Sequence, residues 1–197
     1  ELEKIRRLGL PFWLAGSYGE PGMLREALAL GAAGIQAGTP FAFCRESGIR
    51  EDIKETVIRA ALEGRGEVFS DPLASPSGFP FKVVVLCGSV SEKEDYETRK
   101  RICDLGNLRR TYMRPDGALG YRCASEDVNA FVRKGGKIED SVSRKCICNG
   151  LLSAIGLPQA RPGGITEKAI VTAGDGLKYI ARFVREGETS YTAGDVI

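Results

Sequence analysis

The chain is 197 residues long, 43% hydrophobic and 27% charged, with a formal net charge of +2. That apolar share is enough for a folded core, and the near balance of charge excludes the strongly basic field by which nucleic-acid binders attract their partners. No apolar run approaches the ~18 residues that cross a bilayer, and six Cys without a cationic start and a following apolar stretch point to reduced thiols in a cytoplasm.

In chain order, Glu1 to Gly9 reads as the tail of a helix with Leu2, Ile5 and Leu8 on one face, ended by Gly9 and Pro11. Phe12 to Ala15 is a short buried strand that stops at Gly16-Ser17. Pro21 suits the first turn of a helix and Gly31 its end, with Leu24, Ala27 and Leu28 as the buried stripe. A second strand begins at Gly34 and stops at Gly38-Thr39. Ile49 to Leu62 is helical, with Ile53, Val57, Ile58, Ala61 and Leu62 on one face and charges opposite, ended by Gly64 and Gly66.

Residues 68–82 set Pro and Gly among aromatics, too broken for a helix or a long strand. Lys82 to Leu86 is an apolar burst, and Glu92 to about Ile102 is a charged, helix-like stretch. Residues 103–150 are turn-rich and hold four of the six Cys. Two short helices, Asn149 to Ile155 and Gly174 to Arg185, are expected in the tail. No internal repeat is present.

The two strand ends carry the chemistry. In each, an apolar run stops at Gly plus a small hydroxyl residue, leaving backbone N–H groups where a phosphate approaches without meeting a Cβ. Gly16, Ser17, Gln36, Ala37, Gly38 and Thr39 are the candidate binding residues. The Ser17 and Thr39 hydroxyls add donors, Gln36 orients by its amide at the strand mouth, and the helix opening after Glu20 would aim its positive end at the same place. Taken alone, either Gly-hydroxyl pair reads better as a simple turn of the chain; the two together reverse that reading.

Ala15-Gly16, Ala27-Leu-Ala-Leu-Gly-Ala32 and Gly34-Ile-Gln-Ala-Gly-Thr-Pro-Phe41 together resemble the flavin-phosphate segments of nitronate monooxygenases, formerly called 2-nitropropane dioxygenases. The resemblance extends more loosely through Ser70 to Lys82 and the Cys-rich region. Ser17 stands where the family usually has a second Gly, which keeps a donor and adds a Cβ. The resemblance implies an α/β fold in which residues 1–66 form the C-terminal part of an FMN-binding (β/α)8 TIM barrel, about strands 7 and 8. Residues 67–197 would be an irregular, α-rich, Cys-containing extension packing on it.

The implied cofactor is FMN, and the implied small-molecule substrates are a nitronate or nitroalkane and oxygen. A complete barrel takes about 250 residues, so the chain is expected to be a fragment lacking six strands. Its open sheet edges favour poor solubility or homo-oligomers. An FMN-dependent enoyl reductase of the same barrel superfamily and a non-catalytic, metal-stapled module are the alternatives.

The chain has no His, whereas the family takes its proton-abstracting His from an earlier part of the barrel. Tyr18 and Lys82 are the only replacements near site-like segments, and each reads better as structural; no catalytic residue is assigned. Cys44 and Cys87 follow apolar runs and are expected in the core. Cys103, Cys123, Cys146 and Cys148 have intervening gaps of 19, 22 and 1 residues. Four thiolates together would suit zinc or an iron-sulfur cluster, a redox role is a further option, and ordinary thiols are favoured because paired C-x2-C knuckles are absent. Arg99, Lys100, Arg101, Arg109, Arg110, Arg114 and Arg122 interleave with Tyr112 and Tyr121. Glu92, Glu94, Asp95, Glu97, Asp104 and Asp116 lie among them, which predicts a solvated, salt-linked surface and no nucleic-acid partner.

Overall fold

Short apolar runs between glycines build short elements here, and the computed structural model, which describes residues 1–197, sorts them into two units. Residues 1–68 and 173–197 form the first, and residues 69–172 the second. The expected division after residue 66 therefore differs at the far end, where the last 25 residues belong to the first unit. No sheet has more than two strands, and no helix is long and apolar enough to cross a membrane.

In the first unit, α1 (Leu2–Arg6) precedes β1 (Trp13–Leu14). β1 runs parallel to β2 (Gly34–Ile35), with Trp13 opposite Gly34 and Leu14 opposite Ile35. Parallel neighbours need a crossover, and α2 (Met23–Ala29) is contained in it. The helix does not open after Glu20 as expected. The Glu20 carbonyl accepts from the Met23 amide at 3.1 Å and Gly22 has φ 84°, so Pro21-Gly22 is the centre of a type II turn and Pro21 lies outside the helix.

Ala27 is fully buried, but Leu24 and Leu28 are 48% and 51% exposed, and Ile5, Leu8 and Trp13 are exposed too. Two strands of two residues each offer too little surface to cover a whole helical stripe. The expected buried strand and buried stripe are thus each only partly realised.

α3 (Thr39–Ala42) and α4 (Glu51–Leu62) follow. α4 buries Ile53, Val57, Ile58 and Ala61, whereas Leu62 is exposed, because a helical step of about 100° carries it past the edge of that stripe. Residues Asp175–Phe183 pack on α4 as a 3-10 helix, with Leu177 and Ile180 buried. A short helix was expected there, and its 3-10 form follows from Leu177, Ile180 and Phe183, which recur every third residue. Lys54 is buried in the same layer and satisfied: its Nζ pairs with Glu51 at 2.9 Å and donates to the Arg45 carbonyl at 3.0 Å.

The second unit takes up β3 (Val68–Asp71) from Phe69 onward, and β3 pairs with β4 (Phe81–Val84). The Val84 amide donates to the Val171 carbonyl at 2.8 Å, so the segment around Ile170 runs beside β4. α5 (Lys93–Thr98) is shorter than expected, because Arg99 turns extended and reaches Glu167 at 2.8 Å. β5 (Arg110–Met113) and β6 (Leu119–Arg122) make an antiparallel hairpin. Then come α6 (Val128–Arg133), α7 (Ile138–Ser141) and α8 (Ile147–Ala154). Ala74, Val83, Ile147 and Ile170 form the core, with Phe81, Leu108 and Leu151 against it.

Candidate functional site

All six predicted binding residues lie at one end of the β1–β2 pair. The Gln36 amide donates to the Leu14 carbonyl at 2.8 Å, so both strands finish side by side and pointing the same way. Beyond Leu14 the chain passes Gly16, at φ 92° and ψ −124°, a conformation that essentially only glycine adopts. A 3-10 turn, Ser17–Gly19, follows. Beyond Ile35 it passes Gln36 and Ala37 to Gly38, which caps α3. The two loops touch, since a Cβ on Gly19 would lie 3.4 Å from the Ala37 Cβ.

The cradle between the loops is open. A Cβ built on Gly16 or on Gly38 would meet no atom within 4 Å, and Gly16, Ser17, Gln36 and Gly38 are exposed. Thr39 is half-buried, and its Oγ1 accepts from the Gly174 amide at 2.7 Å, which leaves the hydroxyl proton as its donor. Gly174 is a residue that sequence reasoning missed at this site. Its neighbourhood, Ala173-Gly-Asp-Gly176, carries the same small-residue signal as the two strand ends, but nothing in the linear sequence connects it to Thr39 135 positions away.

Comparison with family models, with curated proteins and with solved structures found no match to this chain.

Tyr18 is half-buried in the 3-10 turn, beside the cradle, while Lys82 lies on β4 in the other unit. Among the cysteines, Cys44 is buried as expected, and burial pushes its thiol above the ordinary range. Cys87 is exposed, contrary to expectation. It falls after the end of β4, where Gly88 at φ 75° turns the chain back.

Cys103, Cys123, Cys146 and Cys148 all belong to the second unit and are free thiols, Cys123 and Cys146 buried and Cys103 and Cys148 half-buried. No three of the chain's Cys, Asp and Glu side chains are arranged to hold a metal ion. The sequence signal for the β5–β6 hairpin that Cys123 follows is Arg114-Pro-Asp-Gly117, a turn that brings its flanks together.

The solvated basic surface expected is realised only in part: Lys100, Arg109, Arg110 and Arg114 are exposed, whereas Arg99, Arg101 and Arg122 turn inward. Arg101 donates to the Tyr96 hydroxyl at 2.6 Å and to the Ser141 carbonyl at 3.0 Å. Arg122 donates to the Lys134 carbonyl at 2.7 Å and lies over the Tyr112 and Phe131 rings. Arg99 is nearly buried against Glu167. These guanidiniums tie loops to one another through carbonyls, rings and one buried carboxylate, because irregular backbone in a small unit has acceptors that secondary structure does not use.

Proposed function

We propose that this chain is the phosphate-gripping portion of an FMN-dependent oxidoreductase of the nitronate monooxygenase kind, the C-terminal part of a (β/α)8 barrel acting in a cytoplasm. The observation that carries this is the parallel pairing of β1 and β2, which sets two Gly-plus-hydroxyl ends, Gly16-Ser17 and Gly38-Thr39, on one open cradle. Neighbouring parallel strands joined through a helical crossover suit a barrel, and its last two strand ends are the fold's usual phosphate site.

The residues present fit a flavin phosphate. Gly16 and Gly38 leave space that a Cβ would fill, the loop amides are backbone donors, and the Ser17 and Thr39 hydroxyls add two more. When bound, FMN would take electrons from an alkyl nitronate and pass them to oxygen. This chain's residues hold and orient the phosphate. They include no His, and none is assigned to proton transfer.

The test compares FMN with riboflavin, which lacks the phosphate, by co-elution of visible absorbance with the purified protein. FMN retained well above riboflavin is the expected result, and equal retention or none overturns the assignment. Gly38→Val is the matching variant. Gly38 has φ −97° and ψ −54° and an empty Cβ position, so valine meets no protein atom at that point. Loss of FMN with an unchanged unfolding midpoint then reports the ligand alone.

A further inference from the structure

Arg110 and Arg122 stand directly opposite each other in the β5–β6 hairpin. Opposed residues of an antiparallel pair share one face, and like charges placed there repel. Both border a cavity of about 160 Å³, which Arg144, in the segment after α7, lines as well. Phe131, Asp140 and the turn at Gly78 also border it, and all of these residues belong to the second unit.

Main-chain carbonyls hold each guanidinium in place. Arg110 donates to the Ser77 carbonyl. Arg122 donates to the Lys134 carbonyl at 2.7 Å, with the Tyr112 and Phe131 ring centroids 5.1 and 5.7 Å away. Arg144 donates to the carbonyls of Leu73 at 2.9 Å, Ser75 at 2.7 Å and Asp140 at 3.1 Å. Carbonyls and rings fix position without supplying a negative charge. The ion-paired arginines of this unit are Arg99 and Arg161; the three at the cavity are not among them. Asp140 is the one carboxylate in the lining, so three cations face one anion and two positive charges are left in excess. A guanidinium has five N–H groups, and even Arg144, which uses Nε and Nη1, keeps both on Nη2.

We propose that this cavity binds a dianionic phosphate group, either free or as the monoester of a small metabolite. A phosphate dianion balances the two excess charges and offers several strong acceptor oxygens to donors already held in place. The lining holds three Arg and no Lys, and a guanidinium fork grips two oxygens of one oxyanion at once. The bound anion also relieves the repulsion between Arg110 and Arg122. This chemistry differs from that of the cradle in the first unit, which offers backbone amides and hydroxyls, so the inference does not rest on flavin binding.

The purified full chain is titrated with inorganic phosphate, and separately with glycerol phosphate, at low ionic strength, where salt screens the charges least. The Nε–H signals of its arginines are followed by heteronuclear NMR. Saturable shifts at Arg110, Arg122 and Arg144, complete at about one equivalent bound, are the expected result. Tighter binding of the ester identifies a metabolite's phosphate as the ligand, and tighter binding of inorganic phosphate identifies the free ion. Shifts confined to Gly16, Gly38 and their neighbours would place phosphate at the cradle and overturn the proposal. Failure to saturate, or tighter binding of the dicarboxylate succinate, would overturn it too.

Arg110→Gln is the matching variant, because Arg110 is exposed and its one hydrogen bond goes to a carbonyl that a glutamine amide can also serve. Loss of a charge-assisted contact should weaken phosphate binding about tenfold or more. Arg110→Lys keeps the charge without the fork and should fall between the variant and the parent. Saturating phosphate should raise the unfolding midpoint of the parent more than that of Arg110→Gln. An Arg110→Gln protein that binds phosphate as tightly as the parent would overturn the proposal, and the parent titration decides alone if that variant fails to fold.

Discussion

The Gly174 amide donates to the Thr39 hydroxyl at 2.7 Å, so a loop from the C-terminal segment fixes the rotamer of a side chain at the mouth of β2. A Cβ on Gly174 would lie 3.1 Å from that same oxygen, which leaves little freedom for anything else to stand there. The hydroxyl is thereby held with its oxygen occupied and its proton available.

Thr39→Val removes the acceptor while keeping the shape. An amide left without its partner costs about 1–3 kcal/mol if water cannot replace the hydroxyl, and FMN retention should fall with it. Thr39→Ser keeps the oxygen and should restore both. Denaturant unfolding and flavin co-elution of the two variants check this, and a valine variant as stable as the parent would show that the bond contributes nothing.

The Tyr191 hydroxyl donates to the Pro40 carbonyl at 2.5 Å, its ring is 1% exposed, and its centroid lies 5.5 Å from that of Phe183. Tyr191→Phe keeps the ring packing and strands a buried carbonyl, so destabilisation of about 1–3 kcal/mol is expected. Tyr191→Ala also opens a cavity and should cost about 3–5 kcal/mol. The difference between the two midpoints in one denaturant series separates hydrogen bond from packing.

Gly150 sits inside α8, where alanine would ordinarily be favoured by about 1 kcal/mol. Here a Cβ would come within 2.5 Å of Ile170 Cγ2 and 3.1 Å of the Ile170 backbone nitrogen. Overpacking of that sort costs about 1–3 kcal/mol, so Gly150→Ala should be net destabilising. An unchanged or raised melting temperature would mean that the Ile170 segment gives way without cost.

Arg161 beside Asp104, helped by the Asn149 amide at 2.9 Å, holds the Asp104 carboxyl down at about 2. A folded value below the unfolded one makes this a stabilising contribution present above the ordinary carboxylate range and lost as pH falls through about 2. A carboxyl-carbon NMR titration should place the midpoint near 2. In Arg161→Gln the midpoint should climb toward the ordinary value, and a parent already titrating there would contradict the ion pair.

How much was legible in the sequence depended on whether the signal was local. The α4 stripe from Ile53 to Ala61 was plain because helical period and burial agree over more than two turns. The two Gly-hydroxyl strand ends were also plain, and the structure brings all six residues to one cradle. Leu24 and Leu28 were misread as covered because periodicity says which side is apolar and not whether a partner lies against it. The bond from Arg109 to the Cys103 carbonyl was not legible, because it depends on how the loop at Gly106 passes beneath the guanidinium. Gly174 and Thr39 could not be joined at all, since their contact is set by the return of the tail.

That return has a consequence for synthesis. Residues 69–172 are continuous and can pack as soon as they have left the ribosome, whereas residues 1–68, made before them, lack Leu177, Ile180 and Tyr191 until residues 173–197 emerge. The unit that is begun first is therefore finished last, and in the interval the apolar face of α4 waits uncovered for residues 173–197.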